Sequence, residues 1–350
     1  MNVCPARLEP VFSPRPWGAR SLAPFFPQKS DLAEPIGEAW MTGSESRFAD
    51  GPFAGKTLGE AWREMPPEWA GTRADQSAAF PLLVKFIFPE EKLSVQVHPD
   101  DAYAAAHEQA AGGRGKTEMW YAVRARPGAE VLVGLKPEVT RESFARAIAD
   151  GTPEDCLVRV PVCQGDAIFV PAGTAHTIGP GLVLCEIQEQ SDLTYRVYDY
   201  NRRDASGQAR PLHIEKALEV MRFGAQTDPK IDPVRIHEEG TEKTYLVSCP
   251  YFETSRWELS GSVQMSSSAG CFDLLICLEG SGAIRRRHQR VDFGPAQVWM
   301  IPTGLGAYQI APNSRTSLLR TSVPREAGEF GPALTRKGVS EGEWSRLVHK

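Results

Sequence analysis

No run of apolar residues in the sequence approaches the roughly 18 that a membrane-spanning helix needs. The seven cysteines (4, 156, 163, 185, 249, 271 and 277) contain no CxxC pair. The first absence excludes a spanning helix and the second a cysteine zinc site. An odd, scattered set also argues against a disulfide framework, so buried thiols in a reducing compartment are expected. Charge of one sign is not in surplus either: 39 Lys and Arg face 44 Asp and Glu, a net −5. That balance lacks the basic footprint of a nucleic-acid binder. One basic run, with Arg285, Arg286, Arg287 and Arg290, lies between two strand-like segments and reads as a solvated hairpin turn. The first residues carry no apolar stretch behind a basic end, so a cytoplasmic protein without a signal peptide is expected.

What is present is ordinary globular material. Hydrophobic residues make up 41% and charged residues 24% of 350 positions, which excludes intrinsic disorder, a coiled coil and collagen. The length suffices for two or three domain-sized units. Twenty-eight prolines and 31 glycines cut the chain into short pieces. Strand-like pieces fall at 81–88, 93–97, 118–123, 131–135, 166–170, 182–188 and 194–198, and again at 243–247, 252–259, 272–278, 297–301 and 317–322. Short, regularly spaced strands with Gly and Pro turns predict a mainly β protein of sandwich or barrel type. Helices are few. Thr57 and Glu60 form a capping box; Asp100 and Thr140 are N-cap candidates; and Ile214, Ala217, Leu218 and Met221 recur at helical spacing. A polar, proline-broken stretch at 226–233 marks a boundary between domains at 1–225 and 235–350.

An internal echo supports that division. Gly165, Pro171, Gly173 and His176 follow the plan of a strand, a Pro-x-Gly turn and a histidine three residues on. Gly294, Pro302, Gly304 and Ala307 repeat it with a slightly longer strand, and Ala307 stands where the first copy has His176. The spacing resembles the second cupin motif, which delivers a histidine into a small β-barrel. Two copies imply two cupin-type (jelly-roll) barrels with a few short helices, the second lacking a metal site. That second half, whose strands are largely apolar, is expected to be structural.

Around Gln96 the chain alternates, so Ser94, Gln96 and His98 share one strand face and Leu93, Val95 and Val97 the other. The polar face suits a barrel mouth; an exposed strand with a solvated face is the alternative. Gln96, His98, Glu118 and His176 together offer two imidazole nitrogens and two oxygens. That set suits zinc, and iron or manganese could use it too. Lys116, two residues before Glu118, is a proton-transfer group, a stabiliser of negative charge or a rim ion pair. Asp192 and Arg196 share a face if their segment is extended, with Asp192 orienting Arg196 or the two forming a structural ion pair. Ser94 is a candidate substrate hydroxyl contact. His107, His213, His237, His288 and His349 receive no role. Trp17 and Trp40 could approach the pocket, and no role is assigned to either.

The segments from Ser94 to Asp101, Gly115 to Tyr121, Pro171 to His176 and Gln190 to Asp199 resemble class I mannose-6-phosphate isomerases, in their short bacterial form. Weaker resemblance runs through Pro16, Trp17 and Gly18, through Ile36 to Trp40, and through Leu212 to Lys216, so it covers roughly the first two-thirds of the chain in order. The resemblance implies one Zn2+ per chain held by Gln96, His98, Glu118 and His176, with Arg196 as the catalytic arginine beside the sugar phosphate. It implies interconversion of mannose 6-phosphate and fructose 6-phosphate through an enediol. The partner is then a small phosphosugar, with no nucleic acid and no membrane. Rival readings are another metal-dependent phosphosugar isomerase and a non-catalytic sugar-binding bicupin.

Overall fold

The computed structural model describes residues 2–73, 75–203, 207–224, 228–268 and 270–350. Ala225, Gln226 and Thr227, at the expected domain boundary, lie outside the described residues. Four sheets carry the chain. A six-stranded sheet runs in the order Ala167–Val170, Glu118–Ala125, Leu182–Glu189, Leu82–Ile87, Ile36–Trp40, Val11–Ala19. A five-stranded sheet runs Tyr195–Tyr198, Val95–Val97, His176–Ile178, Glu130–Leu135, Leu157–Pro161. Eight-stranded and four-stranded sheets make up the C-terminal half. The eight-stranded sheet also takes its last two strands, Ala6–Glu9 and Arg47–Phe48, from the start of the chain. A cut at 225/235 in sequence is therefore not a cut between sheets.

Period-two alternation explains the stacking. Met119, Tyr121, Cys185, Ile187, Leu82, Val84 and Phe86 leave one face of the six-stranded sheet and join Leu274, Ile276, Val298, Met300 and Leu319 of the eight-stranded sheet in the largest core. Trp120, Leu184, Ile87, Ile168 and Val170 leave its other face and pack on Val131, Val133 and Ile178 of the five-stranded sheet. A third core lies between the eight- and four-stranded sheets. The layers thus stack five, six, eight, four. Both faces of the six-stranded sheet are covered, and fully burying each large side chain contributes about 1.5–3 kcal/mol. Among the described residues the four sheets hydrogen-bond separately, so neither pair forms one continuous closed barrel.

The helix signals are realised. Thr57 Oγ1 accepts from Glu60 N (3.1 Å) and Glu60 Oε2 from Thr57 N (2.9 Å), opening the helix Leu58–Glu64. Asp100 caps Asp101–His107 and Thr140 caps Arg141–Ala149. The basic run forms the hairpin between Gly282–Arg286 and Gln289–Phe293. The echo of motifs is structural too: His176 and Ala307 are each the first residue of the strand that follows its turn. The interior of the second sheet pair is not wholly apolar, since buried Asp273 pairs with Arg320 at 2.7 Å. No helix among the described residues is long and apolar enough to cross a membrane.

Candidate active site

Three adjacent strands bring the central residues into one row. His176 is the partner of Gln96, and Gln96 is the partner of Arg196, across the five-stranded sheet. A second row on the facing six-stranded sheet reads Trp40, Lys85, Glu186, Trp120, Ile168. Glu118 lies two residues before Trp120, so it shares that inward face. The turn that delivers His176 depends on Gly173. Its φ is +83°, and a Cβ there would stand 2.8 Å from the Val220 carbonyl oxygen, so only glycine fits.

His98, Glu118 and His176 converge, with one donor atom from each lying within 4.8 Å of the others, and all three are buried. Glu118 Oε1 is 3.4 Å from His176 Nε2 and 3.8 Å from His98 Nε2. It has no hydrogen-bond donor among the described residues. The far side of each ring is fixed. His98 Nδ1 meets the Leu193 carbonyl at 2.8 Å and His176 Nδ1 the Thr174 carbonyl at 2.9 Å. A carbonyl only accepts, so both Nδ1 atoms carry the proton and both Nε2 lone pairs point into the cluster. Burial holds both imidazoles neutral, pulling His98 well below its ordinary range and His176 down to about 4.

This donor set fits a divalent metal. An ion about 2.0–2.1 Å from tetrahedral ligands would hold them about 3.4 Å apart, close to the Glu118–His176 spacing. Gln96 borders the cluster with its amide nitrogen 3.2 Å from His176 Nε2, while its oxygen accepts from Ser94 Oγ at 3.0 Å. A ligating Gln96 would turn its carboxamide over.

A cavity of about 440 Å³ opens beside this cluster. Lys116 Nζ sits 2.7 Å from Glu118 Oε2, 3.3 Å from His98 Nε2 and 3.8 Å from Glu186 Oε1. Glu186 also accepts from Trp120 Nε1 (3.1 Å) and faces Lys85 (3.5 Å). Burial raises the Glu186 carboxyl, against the pull of Lys116. Lys85 is buried, but Asp192, Glu38 and Glu186 overcome that burial and raise its pKa.

The expected pairing of Asp192 with Arg196 is not what forms. Residues 191–194 lie outside the strand Tyr195–Tyr198 that carries Arg196, so Asp192 is not on that strand's face. Asp192 instead contacts Lys85 Nζ at 3.3 Å. Arg196 Nε donates to Ser94 Oγ (3.2 Å), and a terminal nitrogen to the Pro211 carbonyl (3.0 Å). Trp17 lines the cavity, Trp40 takes the Lys85 ammonium over its ring at 4.7 Å, and His213 lines the wall near Arg196. Sequence reasoning missed Lys85, Glu186 and His213, and the arginines Arg15 and Arg210 that also line the cavity.

Residues 6–126 match the family model for the catalytic domain of type I phosphomannose isomerase, and residues 241–320 that for the mannose-6-phosphate isomerase cupin domain. The mannose-6-phosphate isomerase ManA of Bacillus subtilis (strain 168) is 36% identical over 319 residues, spanning 89% of this chain and 96% of the relative. The chain belongs to the type I phosphomannose isomerase family. A crystal structure of the mannose 6-phosphate isomerase from Bacillus subtilis superposes with a TM-score of 0.83 at 31% identity, covering 91% of this chain and 99% of that one. A more distant mannose 6-phosphate isomerase, solved bound with zinc and yttrium, shares the fold at a TM-score of 0.68 and 16% identity, over 91% of this chain and 98% of its own. The isomerase family match thus spans both halves, including the half without a histidine at position 307.

Proposed function

We propose that the chain is a zinc-dependent isomerase interconverting mannose 6-phosphate and fructose 6-phosphate, with one zinc ion per chain. The observation that carries this reading is the buried, unpartnered Glu118 oxygen facing two imidazoles whose Nε2 lone pairs point at it. Gln96, His98, Glu118 and His176 would hold the metal. When bound, the ion supplies Lewis-acid polarisation of the sugar's carbonyl and hydroxyl oxygens. The reaction moves a proton from C2 of the open-chain aldose to C1 through an enediol.

Lys116 is the nearest proton-carrying side chain to the cluster and would move that proton or stabilise the enediolate. Lys85 and Glu186 hold its charge environment, and Asp192 would serve by fixing Lys85. Arg196, at the open end, would hold an oxyanion of the substrate, with Ser94 presenting a hydroxyl beside it. Each sheet pair is read as one cupin-type jelly roll, the N-terminal one catalytic (1–225) and the C-terminal one (235–350) structural. Ala307, an exposed alanine at the His176 position, supports leaving the second metal-free. The seven free cysteines suit the cytoplasm. The test is direct. Purified protein given mannose 6-phosphate should form fructose 6-phosphate, lose that activity on chelation and regain it with added zinc; turnover unaffected by complete metal removal would overturn the reading.

A further inference from the structure

Three arginines line the cavity, and among the described residues two of them are ion-paired and one is not. Arg15 and Arg210 line its outer end together with Arg196. Glu38 takes Arg15 at 2.8 Å. Asp199 takes Arg210 through Nε (2.7 Å) and Arg202 (2.7 Å). Among the described residues no carboxylate forms an ion pair with Arg196, whose partners are the Ser94 hydroxyl and a carbonyl. Asp199 is thus shared by Arg210 and Arg202, the latter also meeting Glu91 at 3.8 Å, while Arg196 is held by neutral partners.

The placement of these groups matters as much as their number. Arg15 lies on Val11–Ala19, the edge strand of the six-stranded sheet. Arg196 lies on Tyr195–Tyr198, the edge strand of the five-stranded sheet, and Arg210 follows it in the chain. The mouth is thus framed by two sheet edges, each carrying arginine. His176, Gln96 and Arg196 are successive partners across three strands, so the backbones of His176 and Arg196 stand two strand spacings, about 10 Å, apart with Gln96 between them. An open-chain hexose with its carbonyl at the metal cluster carries its C6 substituent to that mouth.

Resting on the sugar-phosphate reading above, we infer that Arg15 and Arg210 grip the substrate's phosphate from the two sheet edges and close a ring of charge with Arg196. Glu38 and Asp199 hold these two guanidiniums in place and leave further N–H donors to meet a dianion in the fork geometry that arginine offers. The strand Val11–Ala19 then contributes Arg15 to the phosphate end of the site.

The experiment uses the full-length, metal-loaded protein and the variants Arg15→Gln, Arg15→Lys and Arg210→Gln. Steady-state kinetics with mannose 6-phosphate are paired with inhibition by inorganic phosphate. Each Gln variant should raise KM about tenfold or more while kcat falls by less than about threefold, the pattern of lost ground-state binding. The inhibition constant for phosphate should rise in parallel, and Arg15→Lys should recover part of both. Wild-type KM and phosphate inhibition in both Gln variants would overturn the inference. So would a fall in kcat alone, which marks a structural role. If the wild type does not turn over mannose 6-phosphate, the functional reading fails on its own. Calorimetry with inorganic phosphate then decides the clamp: binding by the wild type but not the variants upholds it, and equal binding or none sinks it.

Discussion

The Lys116 ammonium lies 2.7 Å from Glu118 Oε2 and 3.3 Å from His98 Nε2, while the other Glu118 oxygen faces both imidazoles. One carboxylate thereby meets a proton-bearing cation with one oxygen and two imidazole Nε2 atoms with the other. In the proposed mechanism, metal ligand and proton-transfer group would be coupled through this contact.

Lys116→Gln separates those two functions. The variant should keep about one zinc per chain and lose about 10²–10⁴-fold in kcat, the usual contribution of positioned proton transfer. Metal analysis and kinetics on the same preparation check it. Retained kcat would leave Lys116 as no more than the counter-ion of Glu118.

Arg196→Lys preserves charge but removes the planar fork that binds an oxyanion bidentately. Zinc content should be unchanged and turnover should fall about tenfold or more. Near-normal turnover would make the Ser94 and Pro211 contacts of Arg196 its whole purpose.

Glu253 gives a pH signature outside the cavity. Burial raises its carboxyl from 4.5 to about 7, although Phe330 N and Ser248 Oγ donate to it. A carboxyl raised by folding contributes stability that is full below its unfolded pKa and lost as pH rises through the folded one. The wild type should therefore lose stability between pH 4.5 and about 7 through this group. Glu253→Gln should remove that part of the decline. Denaturant midpoints of both proteins across the window are the measurement; parallel curves would show that Glu253 ionises normally in the folded protein.

How much of this was legible in the sequence follows from which signals are local. The alternation of Ser94, Gln96 and His98 and the turn before His176 are local, so the four ligand candidates could be named before any fold was known. Glycine at 173 and the Thr57–Glu60 capping box are read the same way. Lys85 and Glu186 were missed because each is a charge flanked on both sides by apolar residues inside a strand, Leu82–Ile87 and Leu182–Glu189. Such a charge is informative only once both faces of the sheet are known to be buried. Asp192 meets Lys85 and not Arg196 because it precedes the strand Tyr195–Tyr198, so the period-two rule that related the two residues does not reach it. Arg15 joins the site through sheet order, pairing residues far apart in sequence, which no local pattern encodes. Sheet order likewise takes the strand Ala6–Glu9 into the C-terminal sheet.

The most direct test of the metal centre is zinc per chain in the wild type and in His176→Ala, measured alongside isomerase activity and circular dichroism on the same samples. The wild type should hold about one zinc and turn over mannose 6-phosphate. His176→Ala should keep the β signature while losing both metal and activity. Full zinc occupancy in a folded, inactive His176→Ala would contradict the four-ligand site, and a metal-free wild type with full activity would contradict the account at its root.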